Sequence, residues 1–179
     1  MNTYVAFLRG INVGGQKKFS MSDQERLFSA LGYKNNRAYL QTGNVVFQTQ
    51  KTSKEATSEI QTAISEKYGW EVPILIKTTS EIAAIVKHCP FSQEKKENSY
   101  FTLLHAIPNS VERTAIASEA SKEEEFIIAE TCIYFYPENG YGRAKFNNNY
   151  FEKKLKVTAT TRNYRTMKKV LTLLKNVSN

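Results

Sequence analysis

One order of elements, strand–helix–strand–strand–helix–strand, is written twice along this chain, and it constrains the fold more than any other feature. In the first half, Tyr4 to Leu8 is an apolar run without a polar break and reads as a buried strand. A long glycine-rich turn follows, Gly10 to Lys18. Ser22-Asp23-Gln24-Glu25 then has capping-box spacing, Leu27, Phe28 and Leu31 form an apolar stripe, and Gly32 stops the helix. Arg37 to Gln41 and Asn44 to Thr49 read as strands around a Thr42-Gly43 turn. Ser53 opens a second helix with Ile60, Ala63, Ile64 and Tyr68 on one face, and Gly69 ends it. Val72 to Ile76 closes the unit as a strand, with Pro73 marking an edge or a strand start. A trailing helix capped by Ser80 runs to Pro90.

The second half repeats this. Tyr100 to Ala106 is a strand, a helix opens at Pro108-Asn109-Ser110 and runs to about Ala120, and Glu125–Ala129 and Cys132–Tyr136 form a hairpin. Asn147 to Lys156 is a helix or an ordered loop, Val157 to Thr161 a strand, and Asn163 to Val177 a last helix with Met167, Val170, Leu171 and Leu174 inward. The fold class is therefore α+β: two ferredoxin-like units with antiparallel sheets, residues 1–91 and 92–179, joined at the polar stretch Phe91 to Ser99. Each unit covers one sheet face with two helices. Packing the halves together would cover the other faces and leave a cleft, which is the expected place for a ligand.

Charge is distributed unevenly. Gly140 to Asn179 carries ten Lys/Arg against one acid, Glu152, whereas the rest of the chain holds 15 basic and 16 acidic residues. That layout points to an anionic partner or, equally, to a solvated helix face. No apolar run reaches membrane-spanning length and no signal-peptide pattern opens the chain, so the expectation is a cytoplasmic protein away from membranes. In that compartment Cys89 and Cys132 are expected as free, buried thiols.

Two stretches are candidate binding elements. The first is the turn after the first strand, where Arg9, Asn12, Gly14, Gly15 and Lys17, with Lys18, lie amid glycines that free backbone N–H groups for an anion. Gly10 and Gly15 have the spacing of a phosphate-binding loop, but Gln16-Lys17 follows where that motif needs Lys-Ser/Thr, so nucleotide hydrolysis is not implied. The same glycines also serve a turn that needs positive φ. The second is Gly140 to Lys145 together with Thr160 to Thr166. Arg143 and Lys145 share a side if that segment is extended, and Arg162 and Arg165 stand near a helix N-terminus, where cations fit best beside a bound anion. Alternatively Thr160 or Asn163 merely caps that helix.

No acid–base or nucleophile set can be assembled. His88 sits at a helix end and His105 within a strand, and neither belongs to a zinc-spaced group. Glu123-Glu124-Glu125 reads as a solvated hairpin end, not a metal site. Tyr134 and Tyr136 share a strand face, which would suit base stacking, but sheet core accounts for them as well. Catalytic residues, metal and cofactor are therefore not assigned, and whether the chain is an enzyme stays open.

Arg9-Gly10-Ile11-Asn12-Val13-Gly14-Gly15, Met21, Leu40-Gln41-Thr42-Gly43-Asn44-Val45-Val46-Phe47 and Thr160-Thr161-Arg162-Asn163-Tyr164-Arg165-Thr166 together resemble the bacterial domain-of-unknown-function family 1697, over the whole chain. Thr42 stands where that family usually has serine. The resemblance implies a two-part α+β protein with a ferredoxin-like repeat, and no activity. Joined to the charge layout, it leads to one functional expectation: a small anionic ligand, a nucleotide or phosphorylated metabolite, bound between the halves by Arg9, Asn12, Gly14, Gly15, Lys17 and Asn44 on one side and Arg143, Lys145, Arg162 and Asn163 on the other. The alternative is a nucleic-acid-binding module using the basic last quarter.

Overall fold

The structure, a computed structural model, describes residues 1–178. It divides into two compact units, Met1–Ala83 with the end of the last helix from Lys169 onward, and Ala84–Lys168. The first unit holds β1 (Asn2–Leu8), α1 (Met21–Ala30), β2 (Lys34–Ala38), β3 (Asn44–Thr49), α2 (Ser53–Tyr68), β4 (Ile74–Thr78) and most of α3 (Thr79–Lys87). The second holds α4 (Gln93–Glu97), β5 (Tyr100–Leu104), α5 (Ser110–Ala117), β6 (Glu124–Ile128), β7 (Cys132–Pro137), a 3-10 turn at Tyr141–Arg143, α6 (Asn148–Leu155) and β8 (Ala159–Asn163). The final helix, α7 (Tyr164–Ser178), starts in the second unit and ends in the first.

Each unit carries one four-stranded antiparallel sheet, ordered β2-β3-β1-β4 and β6-β7-β5-β8. The order is the same in both, so the duplicated ferredoxin-like reading is what the chain folds into.

In the first sheet Tyr4, Ala6 and Leu8 face α1 and α2, meeting Leu27, Phe28, Ile60 and Ile64 in one core. Val5 and Phe7, which point the other way by the two-residue period of a strand, are fully buried too. Burial on both faces explains why β1 shows no polar alternation. β4 lies at the sheet edge and begins one residue after Pro73, as a missing N–H requires.

Local boundaries differ from the sequence reading where a cap was misplaced. The cap of α1 is Ser20, not Ser22: its hydroxyl accepts from Asp23 N at 3.1 Å and donates to Asp23 Oδ2 at 2.6 Å. Thr52, not Ser53, caps α2 in a reciprocal box with Glu55. Thr78, not Ser80, serves α3, accepting from Glu81 N while the Glu81 carboxylate accepts from Thr78 N. The polar stretch expected as a plain junction folds into α4, capped by Ser92. Asn148–Leu155 settles as a helix.

Candidate functional site

The glycine turn is a small hairpin standing on an asparagine. Val13 and Gln16 pair across its tip, with Gln16 N donating to Val13 O at 3.0 Å, and Gly14 and Gly15 between them have φ of 59° and 75°. Two consecutive positive φ values form the tight turn that suits a two-residue hairpin. Below the tip, Asn12 N donates to Lys17 O at 3.1 Å. The Asn12 side chain is fully engaged: Nδ2 donates to Phe19 O at 2.9 Å and Gln41 O at 2.6 Å, and Oδ1 accepts from Phe19 N at 2.8 Å. Asn12 therefore ties the first glycine motif to the second, and its φ of 54° is one asparagine tolerates. It acts as scaffold.

The second motif is equally interlocked. Leu8 N donates to Gly43 O at 2.9 Å, and Gly43 has φ 81°. Asn44 is fully buried, donating from Nδ2 to Tyr39 O at 2.7 Å and Thr42 Oγ1 at 3.1 Å while its carbonyl accepts from Tyr39 N at 2.8 Å. It shapes the β2–β3 connection. Lys17 reaches across the unit to donate to Glu71 O, and Arg9 N donates to Pro73 O at 2.9 Å, so the loop is also strapped to the segment before β4.

What remains for a ligand is the outer surface of this cluster. Among the described residues the N–H groups of Gly14 and Gly15 donate to no protein group, and Lys18 is exposed without an ion pair. Three large apolar side chains are exposed as well: Val13 at 64% and Leu40 at 44% in the loops, and Met21 at 42%, the first residue of α1. Leu40 also holds φ 59°, a conformation a bulky side chain avoids. Sequence reasoning missed Leu40, because nothing in a leucine's identity announces a left-handed backbone.

The residues expected in the second half belong to a different unit and are less uniform. The Gly140–Lys145 segment is not extended, because Tyr141–Arg143 forms a 3-10 turn that leaves Arg143 exposed. Lys145 N and Phe146 N donate to the two Glu124 oxygens, each at 2.9 Å, and the Lys145 ammonium ion-pairs with Glu119 at 3.4 Å. That anchors Lys145 at the β6 side of the sheet. Arg162 lies on β8, the opposite edge, with Nη1 donating to Thr161 O at 2.9 Å. Three strand spacings of about 4.8 Å separate those edges. Asn163 Oδ1 accepts from Thr166 N at 2.8 Å, so it caps α7. Arg143 and Lys145 are thus not drawn together with Arg162 and Asn163 into one tight cluster.

Glu124 and Glu125 are not a solvated hairpin end: the first holds the segment after the 3-10 turn and the second ion-pairs with Lys95. Tyr134 is sheet core, its hydroxyl donating to Ile85 O at 2.9 Å and its ring 5.1 Å from Phe101. His105 follows β5, its Nε2 3.1 Å from Thr160 Oγ1. Cys89 and Cys132 are free and buried. Among the described residues no three His, Cys, Asp or Glu are grouped to hold a metal, and no helix is long and apolar enough to cross a membrane.

Residues 1–134 match the model of a family described as "Protein of unknown function (DUF1697)". That stretch contains both interlocked motifs and stops short of Thr160–Thr166, so the match does not reach the third motif. In structure the chain is similar to the conserved bacterial protein SP0830 from Streptococcus pneumoniae, with a TM-score of 0.71 and 18% identity across 97% of this chain and 98% of that one. At that identity the likeness shows the fold. No curated protein matches the chain.

Proposed function

The chain belongs to the DUF1697 family, and on that footing we propose that it binds a small molecule with an anionic group, a nucleotide or other phosphorylated metabolite, on the loop cluster formed by Gly10–Lys17 and Leu40–Gly43. Leu40 carries this reading. Its backbone is strained at φ 59° and its side chain is 44% exposed, so burial of the leucine does not compensate the strain. Strain that packing leaves unexplained concentrates at ligand sites. Of the five non-glycine positive-φ positions among the described residues, three (Asn12, Lys17 and Leu40) lie in these two loops, so Leu40 does not stand alone there.

The chemistry of the exposed groups supports the ligand class. Lys18 and the two glycine N–H groups offer positive charge to an anion, while Val13, Met21 and Leu40 offer apolar contact to the body of the same molecule. Free thiols at Cys89 and Cys132 fit a reducing compartment such as the cytoplasm. The basic last quarter lends no comparable support to nucleic-acid binding. Lys145 and Lys154 share Glu119, Lys156 pairs with Glu112 and Lys168 with Glu97, so four of its ten cations already pair with three acids of the same unit.

The test is thermal melting of the full chain against nucleotides, phosphorylated metabolites and short oligonucleotides at low and moderate salt. A saturable rise in Tm with one small ligand, reduced in Lys18→Ala, is the expected result. A shift with oligonucleotides alone that vanishes as salt rises would move the assignment to nucleic acid.

A further inference from the structure

We infer that the C-terminal unit has a binding site of its own: the groove between α5 and β6 takes a small molecule with an apolar body and a single carboxylate. The groove has a volume of about 470 Å³, within the range of small-molecule pockets. Ala117 of α5 and Phe126, Ile127 and Ile128 of β6 supply apolar walls. Arg113 is the single charged residue among the lining side chains.

The duplication shows why this groove is open. Counted from their first helical residues, α1 and α5 run in step. Their caps, Ser20 and Asn109, both accept from the first turn, and their seventh residues, Leu27 and Ile116, are both buried. The eighth residue of α1 is Phe28, fully buried with its ring 5.2 Å from Phe47 and 5.8 Å from Tyr33. The eighth residue of α5 is Ala117, which is exposed and lines the groove. Where the first unit has a buried phenyl ring, the second has an exposed alanine that lines the groove. The fourth residues differ in the same sense. Gln24 is buried and donates to Phe19 O at 2.9 Å, whereas Arg113 stands at the groove.

Arg113 is also chemically available. Its Nη2 lies 3.4 Å from Ile128 O, a long contact for a hydrogen bond, and no carboxylate pairs with it among the described residues. The adjacent Glu112 is taken by Lys156 at 2.7 Å, and Glu124 by two backbone N–H groups. A guanidinium beside apolar walls recognises a planar carboxylate through paired N–H donors. One cation balances one negative charge; a phosphate dianion would leave charge uncompensated against Phe126 and Ile127. Ile127, a lining residue that is itself exposed, extends the apolar surface for the ligand's body.

The experiment is calorimetric titration of the full chain with decanoate below its micelle concentration, and with decanamide, which keeps the apolar body and removes the charge. The wild type is expected to bind decanoate saturably at one site and decanamide about tenfold or more weaker, as loss of a charge-assisted hydrogen bond requires. Arg113→Gln should bring the two ligands to the same weak affinity. Ala117→Phe should fill the groove and bind neither while melting no lower than wild type, which separates loss of the site from loss of the fold. Equal affinity of the wild type for acid and amide, or wild-type affinity retained in Ala117→Phe, would overturn the assignment. So would binding of a short apolar peptide amide in place of decanoate, which would make the groove an acceptor for a strand on the β6 edge.

Discussion

Gly43 approaches Ile11 so closely that a Cβ built on the glycine would stand 2.8 Å from Ile11 Cδ1, and equally 2.8 Å from Leu8 Cβ. The glycine motif after β1 and the motif before β3 are therefore one packed junction, not two separate loops. Gly43→Ala must displace the Ile11 and Leu8 side chains and hold φ near 81°, which predicts a loss of about 2–4 kcal/mol. At Gly14 a Cβ meets open space and only the backbone conformation resists, so Gly14→Ala should cost about 1 kcal/mol. Urea denaturation of both variants measures the difference; equal losses would mean that the contact with Ile11 carries no energy.

Asn12 makes four hydrogen bonds, one through its backbone N–H and three through its side-chain amide, which acts as donor and acceptor at once. Asn12→Ala leaves Phe19 N, Phe19 O and Gln41 O without that partner and should destabilise the first unit by about 2–3 kcal/mol. Asn12→Asp should be worse, because a carboxylate would face two carbonyl oxygens. Denaturation midpoints that rank Asp above Ala would contradict the hydrogen-bond assignment.

Leu40→Gly removes the strain at φ 59° and the exposed side chain together. Stability should rise by about 1 kcal/mol, while the ligand-induced Tm shift falls. A variant that is less stable than wild type would show that Leu40 is held by packing, and would withdraw the main support for the proposed site.

Glu59 and Tyr33 contribute to the acid and alkaline limbs of stability. Burial raises the Glu59 carboxyl, but the Lys51 ammonium and the Tyr33 hydroxyl both donate to it and hold it, on balance, below the ordinary glutamate value. A carboxyl lowered by folding contributes stability above its unfolded pKa of about 4.3, lost as pH falls through the folded value. Burial, followed by the hydrogen bond to Glu59 and then its charge, raises the Tyr33 hydroxyl, so its contribution holds below about pH 10 and is lost as pH rises beyond that. Melting curves should show Glu59→Gln flattening the acid limb and Tyr33→Phe the alkaline one. A Glu59→Gln acid limb as steep as wild type would assign that limb to other carboxyls.

The candidate site was only partly legible in the sequence. Arg9, Asn12, Gly14, Gly15, Lys17 and Asn44 stand out in the sequence because glycines and polar residues interrupt an apolar context, and all six lie in or beside the two interlocked loops. Their chemistry was not visible. Asn12 and Asn44 spend their amides on the backbone, and Lys17 donates to Glu71 O, a residue 54 positions away. Arg113 and Ala117 do not stand out in the sequence, since an arginine and an alanine on a short helix are ordinary until the Phe28 position of the other repeat is set beside them.

By itself the sequence determined the order of elements, the duplication and the family, because hydrophobic period, helix stops and turn glycines act within a few residues and are read locally. Cap positions slipped by one or two residues wherever several hydroxyls competed, as at Ser20 against Ser22. The tertiary structure alone decided which polar groups are consumed by the fold, where Leu40 is strained, and where α5 and β6 leave a groove. Those outcomes depend on partners tens of residues apart, and hydrogen bonding and close packing are settled only when such partners meet.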